Sequence, residues 1–209
     1  MASAQTSSAS SDAPATPRKR PKPGERRIQI LQTLAAMLEQ PGAERVTTAA
    51  LAARLAVSEA ALYRHFASKA QMFEGLIEFI ETSVFGLLNQ IAERSDAPAI
   101  KARHMVTVVL QFAERNPGMA RVMVGDALVF ENDRLGLRMN QFFERFESSL
   151  RQVWRDQAQA TASLTPTVQA NVQASVLVSF VVGRLQRFAR SGYKRVPTEH
   201  LEASLALLT

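Results

Sequence analysis

The sequence predicts an all-α protein with a small three-helix N-terminal head and a larger helical C-terminal domain, and three observations carry that prediction. Apolar residues recur at helical spacing along most of the chain, with no strand alternation and no internal repeat. Residues 47–66, TTAALAARLAVSEAALYRHF, divide into two short helices around a tight turn. The charge is also lopsided. Residues 1–70 hold ten Lys/Arg against five Asp/Glu and residues 71–209 hold fifteen against fourteen, so nearly all of the formal +6 sits in the first third.

Residues 1–24 are rich in Ala, Ser, Thr and Pro and end in PRKRPKPG. Lacking apolar periodicity, they are expected to form a disordered basic arm. Such an arm either follows a phosphate backbone or minor groove, or is a solvated tail. The head is expected at 25–70 and the helical body at 71–209. The first helix covers 25–40, with Ile28, Leu31, Leu34, Ala35 and Leu38 as its stripe and Pro41-Gly42 as its stop.

The next two helices form a helix-turn-helix. Thr47 or Thr48 caps the first, which buries Leu51, Ala52 and Leu55. Ala56-Val57 makes the turn, and Ser58 caps the second helix with Glu59 in its first turn, where the helix dipole favours an acid. The small residues Ala52, Ala53, Ala60 and Ala61 allow a close crossing, with Val57 and Leu62 pinning its angle. The outward face of the second helix carries Glu59, Ala60, Tyr63, Arg64 and His65, with Lys69 just beyond. Tyr63, Arg64, His65 and Lys69 can donate to bases and phosphates, and the expected DNA-binding set is Thr47, Thr48, Ser58, Glu59, Ala60, Tyr63, Arg64, His65 and Lys69.

Ser68-x-x-Gln71 is a capping box that opens a helix over 69–94. Met72, Phe73, Leu76, Ile77, Phe79, Ile80, Val84, Leu87, Leu88 and Ile91 cover about half its circumference, so it contacts both the head and a second layer. Pro98 opens a helix to 115, with Ile100, Met105, Val108, Val109 and Phe112 apolar. Asn116-Pro117-Gly118 is expected as a turn, followed by a short helix to 124 and a longer one over 133–157. A loop at 161–167, a helix over 167–191 and a short helix after Pro197 complete the chain.

The helix holding Val168, Val172, Val176, Leu177, Val178, Phe180, Val181 and Val182 is apolar on nearly every side. It is either a central core helix or part of a homodimer interface. In the dimer it pairs with the helix of Phe142, Phe143, Phe146, Leu150 and Val153, and the expected interface set is Phe142, Phe146, Val176, Phe180 and Val181.

Several chemistries are disfavoured. The absence of cysteine removes disulfides and thiolate metal sites. His65, His104 and His200 lie far apart, and no phosphate-cradling Gly-rich loop, G-x-S-x-G or H-E-x-x-H occurs. No enzyme, metal or cofactor is therefore expected. The N-terminus lacks an apolar signal segment and no run approaches the roughly 18 apolar residues of a spanning helix. The expectation is a cytoplasmic protein with no membrane span.

The stretch LAVSEAALYRHFASK resembles the TetR-type signature, a helix-turn-helix ending in Leu-Tyr-x-x-Phe and followed by Ser-Lys. The turn position often occupied by glycine is Ala56, which implies a non-glycine residue at positive φ. The resemblance extends beyond the head. SEAALYRHFASK, LIEFIE, ERNPGMARVMVGDALVFENDRL and NQFFERFESSLRQV are similar to the nucleoid occlusion factors of this fold, over most of residues 25–195. The arm is longer and different, and Gly86, Leu87 and Gln111 lie outside the match. This resemblance implies a dimer on palindromic double-stranded DNA that binds the tubulin-like division protein FtsZ and blocks ring assembly over the nucleoid. It implies a partner groove between the fourth and fifth helices, at Phe79, Val108, Arg115 and Asn116. The residues themselves leave Phe79 open as a groove margin or plain core, and Arg115 as a partner contact or a solvated cation at a helix C-terminus. Two other occupations of such a fold are a ligand-regulated transcriptional repressor and a structural DNA-compacting protein.

Overall fold

The computed structural model describes residues 24–40, 45–160 and 166–209, with side chains 156–160 and 166 left aside. Residues 1–23 of the expected arm, the Pro41-Gly42 stop and residues 161–165 of the expected loop lie outside the described residues. Every regular element described is helical.

The head comprises α1 (Glu25–Leu38), α2 (Thr48–Arg54) and α3 (Glu59–Tyr63). The phase of α1 differs from the sequence expectation. Ile28 is 58 % exposed, and Ile30, Leu34 and Leu38 form the buried row. Both phases are apolar in sequence, and the i, i+4, i+8 row is the one that meets the rest of the head. Leu51, Ala52, Leu62 and Phe66 complete its core, whereas Ala53 and Ala60 face solvent and take no part in a close crossing. Each large apolar side chain so buried contributes about 1.5–3 kcal/mol.

Helix α4 (Lys69–Ala92) leaves the head and becomes part of the body. Its start is capped by Ser68, whose Oγ accepts from the Gln71 N–H at 3.2 Å. Only half of the expected box forms, because Gln71 Oε1 accepts from the Ala67 N–H at 2.8 Å, one residue further back. The buried arc includes Phe85, whereas Phe79 and Leu87 are 49 % and 48 % exposed, so these two leave the expected core face.

Helix α5 (Pro98–Arg115) returns along α4, and α6 (Pro117–Met123) follows after Asn116 alone. The expected Asn116-Pro117-Gly118 turn is thus a one-residue joint. Pro117 starts α6, where its missing N–H and fixed φ suit the first helical position. A short 3₁₀ turn (Asp126–Leu128) leads to α7 (Asp133–Ala160), which pairs with α8 (Pro166–Arg190), and α9 (Leu201–Leu208) closes the chain.

Three ion pairs join α4 to the segment entering α7: Lys69 with Glu131, Glu74 with Arg134 at 2.9 Å and Glu81 with Arg138 at 2.5 Å. The Arg138 fork is bidentate on Glu81, and that hydrogen bond is the main reason its guanidinium pKa is raised. Further along α4, Phe85 meets Phe142 at 5.2 Å between ring centroids, and the Arg145 guanidinium lies 3.9 Å over Phe85.

The expected dimer set requires correction at three positions. Phe142, Phe146 and Val181 are essentially fully buried within one chain, so they have no surface to offer a second. They face inward where α7 and α8 pack together. The open stripe of α8 is Val168, Val172 and Val176, while Phe180 is half-buried beneath the Arg184 guanidinium. By length and average composition residues 167–190 are also apolar enough to cross a membrane, although Gln, Asn, Ser and Arg interrupt any unbroken apolar run. One face of this helix, through Ala170, Ala174, Leu177, Leu185 and Phe188, is buried in the protein core.

Candidate nucleic-acid interface and partner groove

The helix-turn-helix is set by local bonds. Thr47 Oγ1 accepts from the Ala50 N–H at 3.1 Å and Ser58 Oγ from the Ala61 N–H at 3.3 Å, each capping its helix. Ala56 takes φ +53°, the left-handed value that the turn demands. The Val57 N–H reaches back to the Ala52 carbonyl at 3.0 Å and closes the end of α2. Thr48 caps neither helix. Its hydroxyl donates to Glu59 Oε2 at 2.6 Å and ties the start of α2 to the first turn of α3.

This arrangement brings Ser58, Glu59, Ala60, Tyr63, Arg64 and His65 onto one exposed surface, with only Leu62 of α3 fully buried. Thr47 lies exposed nearby in sequence, at the start of α2. Arg64 and His65 continue past the last residue of the short α3. A residue absent from the expected set supports this surface. Arg27, in the first turn of α1, donates to the His65 carbonyl at 2.7 Å and lies 4.1 Å over the Phe66 ring. Its only sequence signal was its place in the basic run. Lys69, expected among the DNA-binding residues, is tied to the body. Its ammonium is held by Glu131 and lies 5.6 Å from the Phe73 ring centroid, which joins the head end of α4 to the body.

The second set lies where α4 and α5 run side by side. The Phe79 and Phe112 rings are 6.1 Å apart and tilted by 43°, and Val108 is half-buried one turn away. Phe79 is therefore a partly open margin rather than plain core. Arg115 is exposed at the end of α5, while Asn116 Nδ2 donates to the Phe112 carbonyl at 2.7 Å and finishes that helix. Phe79, Phe112 and Arg115 combine an open aromatic face with a cation. That suits an apolar segment carrying acidic groups. Among the described residues no cluster of His, Asp or Glu could hold a metal.

Comparison with known proteins places the chain in a family. Residues 30–76 match the family of bacterial regulatory proteins of the tetR type, and residues 97–209 match the tetracyclin repressor-like, SlmA-like C-terminal domain. The chain is 49 % identical over 178 residues to the nucleoid occlusion factor SlmA of Idiomarina loihiensis, covering 85 % of this chain and 90 % of that one. It is 50 % identical over 185 residues to the nucleoid occlusion factor SlmA of Vibrio cholerae, covering 88 % and 94 %. In fold it is similar to the TetR-family transcriptional regulator PfmR of Thermus thermophilus, with a TM-score of 0.69, 20 % identity and coverage of 87 % and 94 %. With both halves matched and close sequence agreement over nearly the whole chain, the protein belongs to the SlmA family of nucleoid occlusion factors, built on the all-α TetR-type fold with its DNA-binding head.

Proposed function

We propose that this protein binds palindromic chromosomal sites as a homodimer and, while bound, engages FtsZ through the α4–α5 groove, opposing division-ring assembly over the nucleoid. The observation that carries the partner reading is Phe79, half exposed beside Phe112 on the helix that continues directly from the DNA-binding head. Two copies meeting along the Val168, Val172 and Val176 stripe bring together two recognition surfaces. These read half-sites about 34–36 Å apart on one DNA face. Tyr63 and Arg64 supply phosphate contacts, while Ser58, Glu59 and Ala60 at the start of α3 meet base edges. DNA binding orders the head against α4 and thereby favours the partner-competent groove. By linkage, the partner must raise DNA affinity by the same factor.

A ligand-regulated repressor is the second reading. It is favoured by a cleft of about 360 Å³ between α4, α5 and α7, which has Leu88, Met105 and Val153 as apolar lining and Lys101 and Arg145 as cations. Chromatin mapping separates the two. Many dispersed sites support occlusion, whereas occupancy confined to a few promoters contradicts it and supports repression.

A further inference from the structure

The chain leaves α8 through two consecutive residues at positive φ, Gly192 at +59° and Tyr193 at +67°. Glycine adopts this conformation freely, but a tyrosine there is strained and persists only where its surroundings hold it. The Tyr193 ring packs against Phe188 at 5.2 Å between centroids, and its hydroxyl donates to the Leu38 carbonyl at 3.3 Å. Burial, the largest influence on this phenol, raises its pKa and keeps the hydroxyl a donor.

Leu38 ends α1, and the carbonyls of a last helical turn lack partners within the helix. The same Leu38 oxygen accepts from Arg121 Nη1 of α6 at 3.1 Å, and Arg121 is itself steadied by Asp126 at 2.6 Å. The far end of the head's first helix is thus closed by two donors from the body. The near end of that helix holds the recognition segment through Arg27 and the His65 carbonyl.

We propose that Tyr193 and Arg121 are positioning residues for DNA recognition, clamping the end of α1 so that the head cannot turn about its junction with α4. The inference rests on the dimeric DNA-binding reading above. Besides its continuation into α4, the head touches the body where Gly118 of α6 meets Ala35, a contact that by itself permits rocking; the two bonds to the Leu38 carbonyl, about one turn further along α1, remove that freedom. Moving a half-site by one base pair displaces it by about 3.4 Å and rotates it by about 35°. A clamped head cannot follow that change, whereas a released head can. The clamp therefore sets spacing specificity.

The test uses full-length protein and the palindrome most enriched from a random duplex pool. Affinity is measured on that duplex and on versions with half-sites moved by one and two base pairs. The unaltered protein should lose about tenfold or more in affinity per base pair, on the scale of a mismatch in a specific site. The Arg121→Met, Tyr193→Phe double variant, confirmed as helical and dimeric, should hold all spacings within about threefold of one another. If the double variant does not fold, Tyr193→Phe alone, which removes one oxygen, should still flatten the profile. A folded, dimeric variant with the unaltered spacing profile overturns the clamp. Unaltered protein without preference for any duplex overturns instead the DNA-binding reading on which the clamp rests.

Discussion

Gly118 of α6 lies so close to Ala35 of α1 that a Cβ at position 118 would stand 2.2 Å from the Ala35 carbonyl oxygen. Because the obstructing atom is backbone, no side-chain rotation relieves the clash. The glycine is therefore the seat on which the head rests against the body. Gly118→Ala should lower stability by about 1–3 kcal/mol, as overpacking does, and weaken specific DNA binding. Gly86 meets nothing within 4 Å, so Gly86→Ala in the middle of α4 should instead stabilise by about 0.5–1 kcal/mol. Denaturant unfolding of the two variants measures the difference. Equal effects would remove the seat from the account.

The helix-turn-helix turn makes an opposite prediction about glycine. Ala56 holds φ +53°, where its Cβ is unfavourable. Ala56→Gly relieves that strain and loses part of the gain to the freer unfolded chain. A net stabilisation of about 0.5 kcal/mol is expected in equilibrium unfolding, with DNA affinity unchanged. Destabilisation would show that the alanine side chain packs more than it strains.

These two sites differ in how visible they were in the sequence. Caps at Thr47, Ser58 and Ser68, and the strained turn at Ala56, are local events that short motifs encode, and each formed as expected. Gly118 was expected in a turn because Asn-Pro-Gly is turn chemistry. Its role depends instead on α1, which sequence spacing does not reveal. Ile28 and Ile30 are equally apolar, so only packing chooses the buried phase. The pairing of Lys69 with Glu131 was hidden because the two lie 62 residues apart. Apolar runs in α7 and α8 announced burial without saying whether one chain or two would provide it.

The proposed dimer surface is testable at three valines. Val172 and Val176 are exposed and Val181 is fully buried in the single chain. Val172→Asp with Val176→Asp should give a folded, helical monomer at micromolar concentration by light scattering. Val181→Asp places an unpaired charge in the core and should cost several kcal/mol, giving unfolded or aggregated protein rather than a clean monomer. A double variant that stays dimeric would move the interface elsewhere.

Charge removal separates the role of Arg64 from that of Lys69. Arg64→Ala should weaken binding on every duplex and reduce the slope of log affinity against log salt by about 0.9 for each phosphate no longer neutralised. Lys69→Ala breaks its pair with Glu131, so it should lower thermal stability as well as binding. Salt-series DNA titrations beside melting curves distinguish them. A Lys69 variant with normal melting and a reduced slope would assign that lysine to phosphate after all.

The central claim is that protein on its specific DNA engages FtsZ through the α4–α5 groove, and direct binding of purified FtsZ tests it most closely. Binding is measured for the protein alone, with its specific duplex and with a scrambled duplex, alongside Arg115→Asp. The account predicts the tightest binding with the specific duplex. It also predicts loss of binding in Arg115→Asp, whose DNA affinity stays near normal because Arg115, at the end of α5, is not among the residues proposed to contact DNA. Failure of the unaltered, DNA-bound protein to bind FtsZ would contradict the account and leave the repressor reading in its place.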